Sequence, residues 1–321
     1  MTDIVDKYGR TFKTLRVSLT NACNLGCVYC VHGNTDMKEH NHLAHENLLQ
    51  AEDMLRLIEK LHESLNLETV RLTGGEPLLY KDIIRLTEGL KNIGIPSIKI
   101  TTNAFLLNEM AEKLQKAGVS SLNISLDAID PETFFRISRR KTLEKILTGI
   151  EKAISLGMKV KLNTVVMRGI NEDQILPLFA FAKSHNISIR FLELMKMGHL
   201  HVTNENPYFF SEKEILEILA QKYQFKKQTR ESASTANYWM TEDNYRFGII
   251  ANESSPFCQD CNRLRLDSHG NIFGCLSSNI SQKLSLTDNH ETLSKKLEEA
   301  LAEKQPLKFK GSAISMIDIG G

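Results

Sequence analysis

Residues 15–30 read LRVSLTNACNLGCVYC. Leu15, Val17 and Leu19 alternate with Arg16 and Ser18, the two-residue period of a β-strand. Immediately after it, Cys23-x3-Cys27-x2-Cys30 places three thiols on one short loop with Gly26 inside it. Such thiols can converge on one inorganic centre, and soft thiolates select zinc, copper(I) or iron–sulfur clusters. Structural zinc usually takes four protein ligands, and the local set stops at three. A [4Fe–4S] cluster on three cysteines keeps one iron open for reaction.

Outward from this stretch, strand and helix patterns alternate. Strands are predicted at 15–19, 69–72, 97–101, 121–126, 159–166 and 188–192, and amphipathic helices at 49–65, 82–93, 107–117, 143–156 and 172–185. Asp130-Pro131-Glu132 has the composition of a helix start. Six βα units predict a parallel sheet with right-handed crossovers, an α/β fold in the form of a partial, TIM-like (β/α)6 barrel. Ligands of such folds sit at the C-terminal strand ends, here 20–23, 73–76, 102–103, 125–127 and 193–195. From about Asn204 the pattern changes to a helix at 212–222, strands at 237–240, 245–250, 264–267 and 271–273, a hairpin turn at 269–271 and a helix at 291–304. The chain therefore divides into a barrel, 1–203, and a smaller C-terminal α+β extension, 204–321.

The chain has 321 residues, with 40 Lys+Arg against 39 Asp+Glu. That balance argues against a broadly basic duplex nucleic-acid binder, but leaves room for a small phosphorylated ligand. No apolar run approaches the roughly 18 residues of a membrane span, and residues 1–13 lack the apolar stretch of a secretory signal. A cytoplasmic protein without nucleic-acid or membrane partners is expected.

All six cysteines fall into two groups of three, the second being Cys258, Cys261 and Cys275. His269 lies between Cys261 and Cys275, so a Cys3His zinc site is one reading of this group. Arg263 and Arg265 stand at alternate strand positions beside it, and two guanidinium forks on one face suit phosphates. Thr73-Gly74-Gly75-Glu76-Pro77 reads as a tight turn whose glycines allow close backbone approach. The polar stretch holding His40, His42 and His45 reads as solvated surface.

C-x3-C-x2-C with Tyr29 before its third cysteine resembles the signature of the radical S-adenosylmethionine (SAM) enzymes. Within that superfamily the chain is similar to the GTP 3′,8-cyclase family of molybdenum-cofactor biosynthesis. The resemblance extends over 8–10, 15–18, 71–78, 123–127, 161–169, Arg190-Phe191, Cys258-x2-Cys261-Asn262-Arg263-Leu264-Arg265 and the Gly320-Gly321 end. It implies two [4Fe–4S] clusters, on Cys23, Cys27 and Cys30 and on Cys258, Cys261 and Cys275, the second meeting the purine of GTP. A 5′-deoxyadenosyl radical then takes hydrogen from C3′ of the ribose, and C3′ attacks C8. Tyr29, Gly75, Ser125 and Met195 match SAM contacts. Arg16, Arg71, Thr102, Lys161, Arg190, Arg263 and Arg265 match residues facing GTP, and Arg16, Gly320 and Gly321 match catalytic positions. The implied partners are GTP, a reductant such as flavodoxin or ferredoxin, the next pathway enzyme (cyclic pyranopterin monophosphate synthase) and a second copy in a homodimer.

Several positions depart from the family pattern: Asn21-Ala22, Val31-His32, Thr69 in place of a lysine, Ala104 in place of a glycine, Lys196 in place of a proline, and the stretch after Cys275. These put a second reading beside the first, a two-cluster radical SAM paralogue acting on another nucleotide or on a peptide.

Overall fold

The computed structural model describes residues 4–31, 48–201 and 206–320. Strands β1 (Thr14–Ser18), β2 (Thr69–Thr73), β3 (Ser97–Thr102), β4 (Val119–Ser125), β5 (Lys159–Val166) and β6 (Ser188–Glu193) are hydrogen-bonded in chain order, each parallel to the next. Between them run α1 (Ala51–Leu65), α2 (Ile83–Asn92), α3 (Leu107–Ala117), α4 (Pro131–Ser138), α5 (Leu143–Ser155) and α6 (Ile175–Ser184). Sequential strand order with crossovers of one hand sends every helix to the same face of the sheet. The helices cover that face with Leu57, Ile58, Leu61, Leu86, Leu114, Ile150 and Phe179, all buried. None of α1–α6 packs on the opposite face, which is left to line a cavity.

Strand patterns in the sequence land within two residues of the observed strands, because each is a clean period-two run between turn residues. Asp130 caps α4, its carboxylate accepting from the Thr133 amide at 2.7 Å, with Pro131 at the first helical position. The helix expected over 172–185 starts as a short 3-10 turn, Glu172–Gln174, and becomes α-helical at Ile175. Pro177 has no N–H to give to the preceding turn, so the α-helix is placed with the proline in its first turn. Ala104 sits at φ +63°, a left-handed conformation that costs a β-carbon about 1 kcal/mol, which explains why glycine suits this position.

The C-terminal segment does not stand apart from the barrel sheet. It contributes α7 (Glu212–Ala220), β7 (Phe225–Lys227), β8 (Asn237–Thr241), β9 (Arg246–Ile250), β10 (Arg263–Leu266), β11 (Asn271–Phe273), β12 (Gln282–Lys283), α8 (His290–Ala302) and α9 (Met316–Ile319). Strand β10 pairs parallel to β1, and β9 pairs parallel to β6. Eight parallel strands result, flanked by antiparallel β11–β12 and β8–β7 at the two ends of one open sheet. The boundary expected at 203/204 lies outside the described residues, as do His40, His42, His45 and Gly321.

Glu193, at the end of β6, clasps the extension to the barrel. Its buried carboxylate accepts from the amides of Glu212 (2.9 Å), Glu253 (2.9 Å) and Ser254 (3.0 Å) and from the Ser254 hydroxyl. Glu193→Ala would leave three amides without an acceptor and should lower unfolding stability by about 3 kcal/mol, readable as a lower urea midpoint of the reconstituted protein. An unchanged midpoint would mean that water replaces the carboxylate at no cost.

Candidate functional site

The bare sheet face encloses a cavity of about 800 Å³, lined by alternate residues of the strands, among them Arg16, Arg71, Lys99, Ser125, Lys161 and Arg190. Both cysteine groups line it. The first lies beyond the C-terminal end of β1. The second does not: Thr14, the first residue of β1, is in register with Arg263, and Arg265 is in register with Phe273. Cys261 and Cys275 therefore sit at the N-terminal end of β1. The cavity thus runs the length of the strands, whose five residues in β1 alone span about 13 Å. The expectation of a site confined to the C-terminal strand ends is corrected by a site with cysteines at both ends. His269 is in the turn at the far end of the β10–β11 hairpin, its amide bonded to Asp267 at 2.9 Å. It cannot complete a zinc site with cysteines at the hairpin's open end, and among the described residues no group of His, Cys, Asp or Glu is set to hold a single metal ion.

The first cysteine loop is held by the turn at the end of β2. A β-carbon on Gly74 would lie 2.4 Å from the Thr20 carbonyl oxygen, and one on Gly75 2.3 Å from that of Ala22. The Gly75 and Glu76 amides donate to these same oxygens at 2.7 and 2.8 Å. The close approach expected of the two glycines is thus to the backbone before Cys23, while Gly75 still lines the cavity. Glu76 is buried and accepts from Thr102 Oγ1 (2.7 Å), the Asn103 amide (2.7 Å) and the Leu78 amide (3.0 Å). Burial pushes its carboxyl up to about 7 against these bonds. Thr102 also accepts from the Ala104 amide at 3.0 Å. Its hydroxyl is committed to this network, while Thr102 also lines the cavity.

The three thiols have the surroundings that a cluster needs. Burial, with Glu76 nearby, drives Cys23 up to about 12; burial likewise raises Cys27 and Cys30 well above the usual thiol range. As bare thiolates they would be unstable there, and a cationic iron centre removes that cost. The Leu25 amide (3.5 Å) and Asn103 Nδ2 (3.9 Å) already point at Cys23 Sγ. Tyr29 donates to Asp127 Oδ2 at 2.8 Å, and the Val165 amide donates to Asp127 Oδ1 at 2.8 Å. That bridge fixes the ring in the cavity wall, which Ser125 and Met195 also line.

Around the second group the charges differ. Burial raises Cys258 to about 11. Burial also pushes Cys261 up, but the Lys304 ammonium and the Arg263 guanidinium more than offset it and bring the thiol down to about 6. Lys304 Nζ and Arg263 Nη1 each lie 3.3 Å from Cys261 Sγ. Arg10, paired with Asp6, donates to the Cys258 carbonyl. The two donors on Cys261 Sγ suit a sulfur ligand of an iron–sulfur cluster, whose electronics depend on such hydrogen bonds. Lys304 and Glu76 carry no signal in the sequence beyond an ordinary helix end and a turn.

Between the two groups lies a concentration of positive charge. Burial depresses Arg16 well below the usual arginine range, with Arg265, Arg71, Arg263 and Arg190 adding repulsion. Burial, aided by neighbouring cations, lowers Arg71 to about 9 and Lys161 to about 8. Arg71 Nη1 and Arg190 Nε and Nη2 are buried without a hydrogen-bond partner. Buried donors of this kind are paired in stable proteins, so the cavity is built for an anion.

The C-terminal tail enters this space. Ile317 packs on Val31, Cys23 and Cys30, and Ser315 Oγ donates to the Cys30 carbonyl at 3.1 Å. Asn21 Nδ2 lies 3.4 Å from Asp318 Oδ1. Arg265 Nη1 donates to the carbonyl of Gly320. Gly320 has φ +76°, and a β-carbon there would stand 2.6 Å from Thr73 Cγ2 and 3.1 Å from Ser18 Cβ. The Lys196 carbonyl accepts from the Ser312 amide at 3.1 Å. Asn21, Val31 and Lys196, three of the positions departing from the family pattern, thus all touch the tail segment.

Residues 17–182 match the Radical SAM superfamily, and residues 187–309 match Molybdenum Cofactor Synthesis C. A GTP 3′,8-cyclase of Nautilia profundicola is 38% identical over 311 residues, covering 94% of this chain and 93% of the relative. The GTP 3′,8-cyclase of Clostridium botulinum strain Hall is 38% identical with the same coverage, and that of Campylobacter lari is 38% identical over 85% of this chain and 83% of its own. Among solved structures, Streptococcus suis SuiB bound to S-adenosylmethionine superposes with a TM-score of 0.64 at 16% identity over 87% of this chain, which spans 64% of that structure. Native anSMEcpe with bound AdoMet gives 0.64 at 14% identity over 89% of this chain and 81% of that one. At these identities the structures speak for the fold alone.

Proposed function

The chain belongs to the GTP 3′,8-cyclase family of radical SAM enzymes, and on that premise we propose that it converts GTP to 3′,8-cyclo-7,8-dihydro-GTP, the first step of molybdenum-cofactor biosynthesis. The observation that carries this reading is a single cavity with three cysteines at each end and, between them, buried guanidinium nitrogens of Arg71 and Arg190 without a hydrogen-bond partner. Cys23, Cys27 and Cys30 would hold one [4Fe–4S] cluster, and Cys258, Cys261 and Cys275 the other. When bound, the first cluster and SAM supply the one-electron chemistry that removes hydrogen from the ribose C3′ so that C3′ can join C8.

The chain's own residues bind, orient and exclude water. Tyr29, Gly75, Ser125 and Met195 form the SAM end. Arg16, Arg71, Lys161, Arg190, Arg263 and Arg265 neutralise the triphosphate, whose charge relieves the repulsion among them. Thr102 acts through Glu76, keeping the first cysteine loop in place. Gly320 with Arg16 forms the catalytic wall next to the ribose, Gly321 joining them as the resemblance implies, and Met197, Phe309 and Ile317 keep water from a reactive radical. Residues 1–203 thus serve SAM and supply four of the cations for the triphosphate, and residues 204–321 supply the other two, the base site and the tail.

Flavodoxin or ferredoxin would supply the electron, the cyclic pyranopterin monophosphate synthase would take the product, and a homodimer in the cytoplasm is the expected form. No helix among the described residues is long and apolar enough to cross a membrane. A peptide substrate is not favoured, since the cations form a site for a compact polyanion. The test is anaerobic: the protein reconstituted with iron and sulfide, given SAM and a strong reductant, should form 5′-deoxyadenosine in step with GTP consumption. SAM cleavage indifferent to GTP would sink the substrate assignment and leave the radical fold standing.

A further inference from the structure

Four basic side chains stand side by side across four neighbouring strands. Arg265 on β10 is in register with Arg16 on β1, Arg16 with Arg71 on β2, and Arg71 with Lys99 on β3. All four line the cavity. Adjacent strands are about 4.8 Å apart, and like charges directly opposite one another destabilise a sheet. Among the described residues no carboxylate pairs with any of the four. The row needs an anion laid along it, and its first three members already have a place in the site.

Lys99 is the member with no role so far. It alternates with buried Ile98 and Ile100, so in sequence it reads as the solvent face of a strand. In the fold that face is the cavity wall, with Lys161 and Arg190 close enough to act on it or be acted on by it. The two ends of the row differ. At β10, Arg265 is occupied by the tail and the second cysteine group adjoins it. At β3, Lys99 stands three strands away from β10 and the cysteines beside it.

We propose that Lys99 binds the outermost phosphates of the nucleoside triphosphate, so that the row reads the length of the phosphate chain. This rests on GTP being the substrate with its base beside the second cysteine group. A base held there sends the phosphates toward β3. A terminal phosphate, free to be approached from several directions, suits the compact point charge of a lysine with three rotatable donors. Thr69 lies two residues before Arg71 on the same inward face and lines the same cavity, which provides a second place from which a charge can reach the same phosphates.

The test is equilibrium binding of GTP, GDP and GMP to the reconstituted protein without SAM or reductant, so that nothing turns over. Lys99→Met should weaken GTP about tenfold or more while changing GMP by less than about twofold. Adding Thr69→Lys to that variant should recover most of the lost GTP affinity. Iron content equal to that of the unmodified protein shows that the variants are folded. Undiminished GTP binding by Lys99→Met, or equal losses for GTP and GMP, would overturn the assignment while the GTP reading stands. If the unmodified protein binds none of the three nucleotides, the GTP reading falls and takes this assignment with it.

Discussion

Replacing Cys23 with serine is expected to abolish SAM cleavage and to lower iron from about eight atoms per chain to about four. The thiol sits in a pocket where burial and Glu76 oppose a bare negative charge, so it is stable there as a metal ligand rather than as a free thiolate. Serine is a poor iron ligand at neutral pH and leaves two sulfurs for a cluster that needs three. The second group is at the other end of β1 and should assemble unchanged, so GTP affinity should stay within about threefold. Iron analysis, 5′-deoxyadenosine formation and GTP binding on one preparation separate these outcomes. Full iron with full SAM cleavage would remove Cys23 from the ligand set.

The second large effect concerns the tail. Gly320→Val should reduce conversion of GTP at least a hundredfold, roughly the loss that a 1 Å misplacement can cause, with iron content unchanged. Glycine is required there on two counts. Its φ of +76° is one that a β-branched residue rarely adopts, and a β-carbon would meet Thr73 and Ser18. The valine would push the chain end away from Arg265 and from the wall of the cavity. SAM cleavage uncoupled from product should persist, since the cysteine loop keeps its bonds to the turn at the end of β2. Thr73→Ser removes the methyl group that the new β-carbon meets most closely, so it should restore part of the activity of the milder Gly320→Ala. Wild-type turnover by Gly320→Val would show that the tail does not take part.

The barrel was legible because each of its strands is a period-two run closed by turn residues, and because three cysteines after Leu19 can hardly serve a core. The cation set was legible as well, though only as residue types. What the sequence could not convey was direction. Cys261 and Cys275 lie at the opposite end of the strands from Cys23 because β10 pairs parallel to β1, a pairing between distant parts of the chain that is set by packing and not by any local signal. Lys99 was hidden for a related reason: an inward-facing lysine and a solvated one share the same alternation, and only the uncovered sheet face tells them apart. Glu193 and Lys304 act through long-range bonds to the backbone and to Cys261, and nothing near them in the chain announces those partners. Short β7, β12 and α9 fall below the length at which periodicity can be counted.

The pairing of β10 with β1 also sets the order in which this protein can be made. During synthesis the outer edge of β1 emerges early, yet its partner comes roughly 245 residues later, and at about 5–20 residues per second that interval is on the order of ten to fifty seconds. Throughout it β1 offers an unpaired edge, the kind that recruits other chains, and the first cysteine loop lacks the tail that will cover it. Late closure has a use: iron and sulfide can reach Cys23, Cys27 and Cys30 before Ile317 packs over them. The same interval therefore leaves the nascent chain both open to loading and exposed to aggregation and proteases.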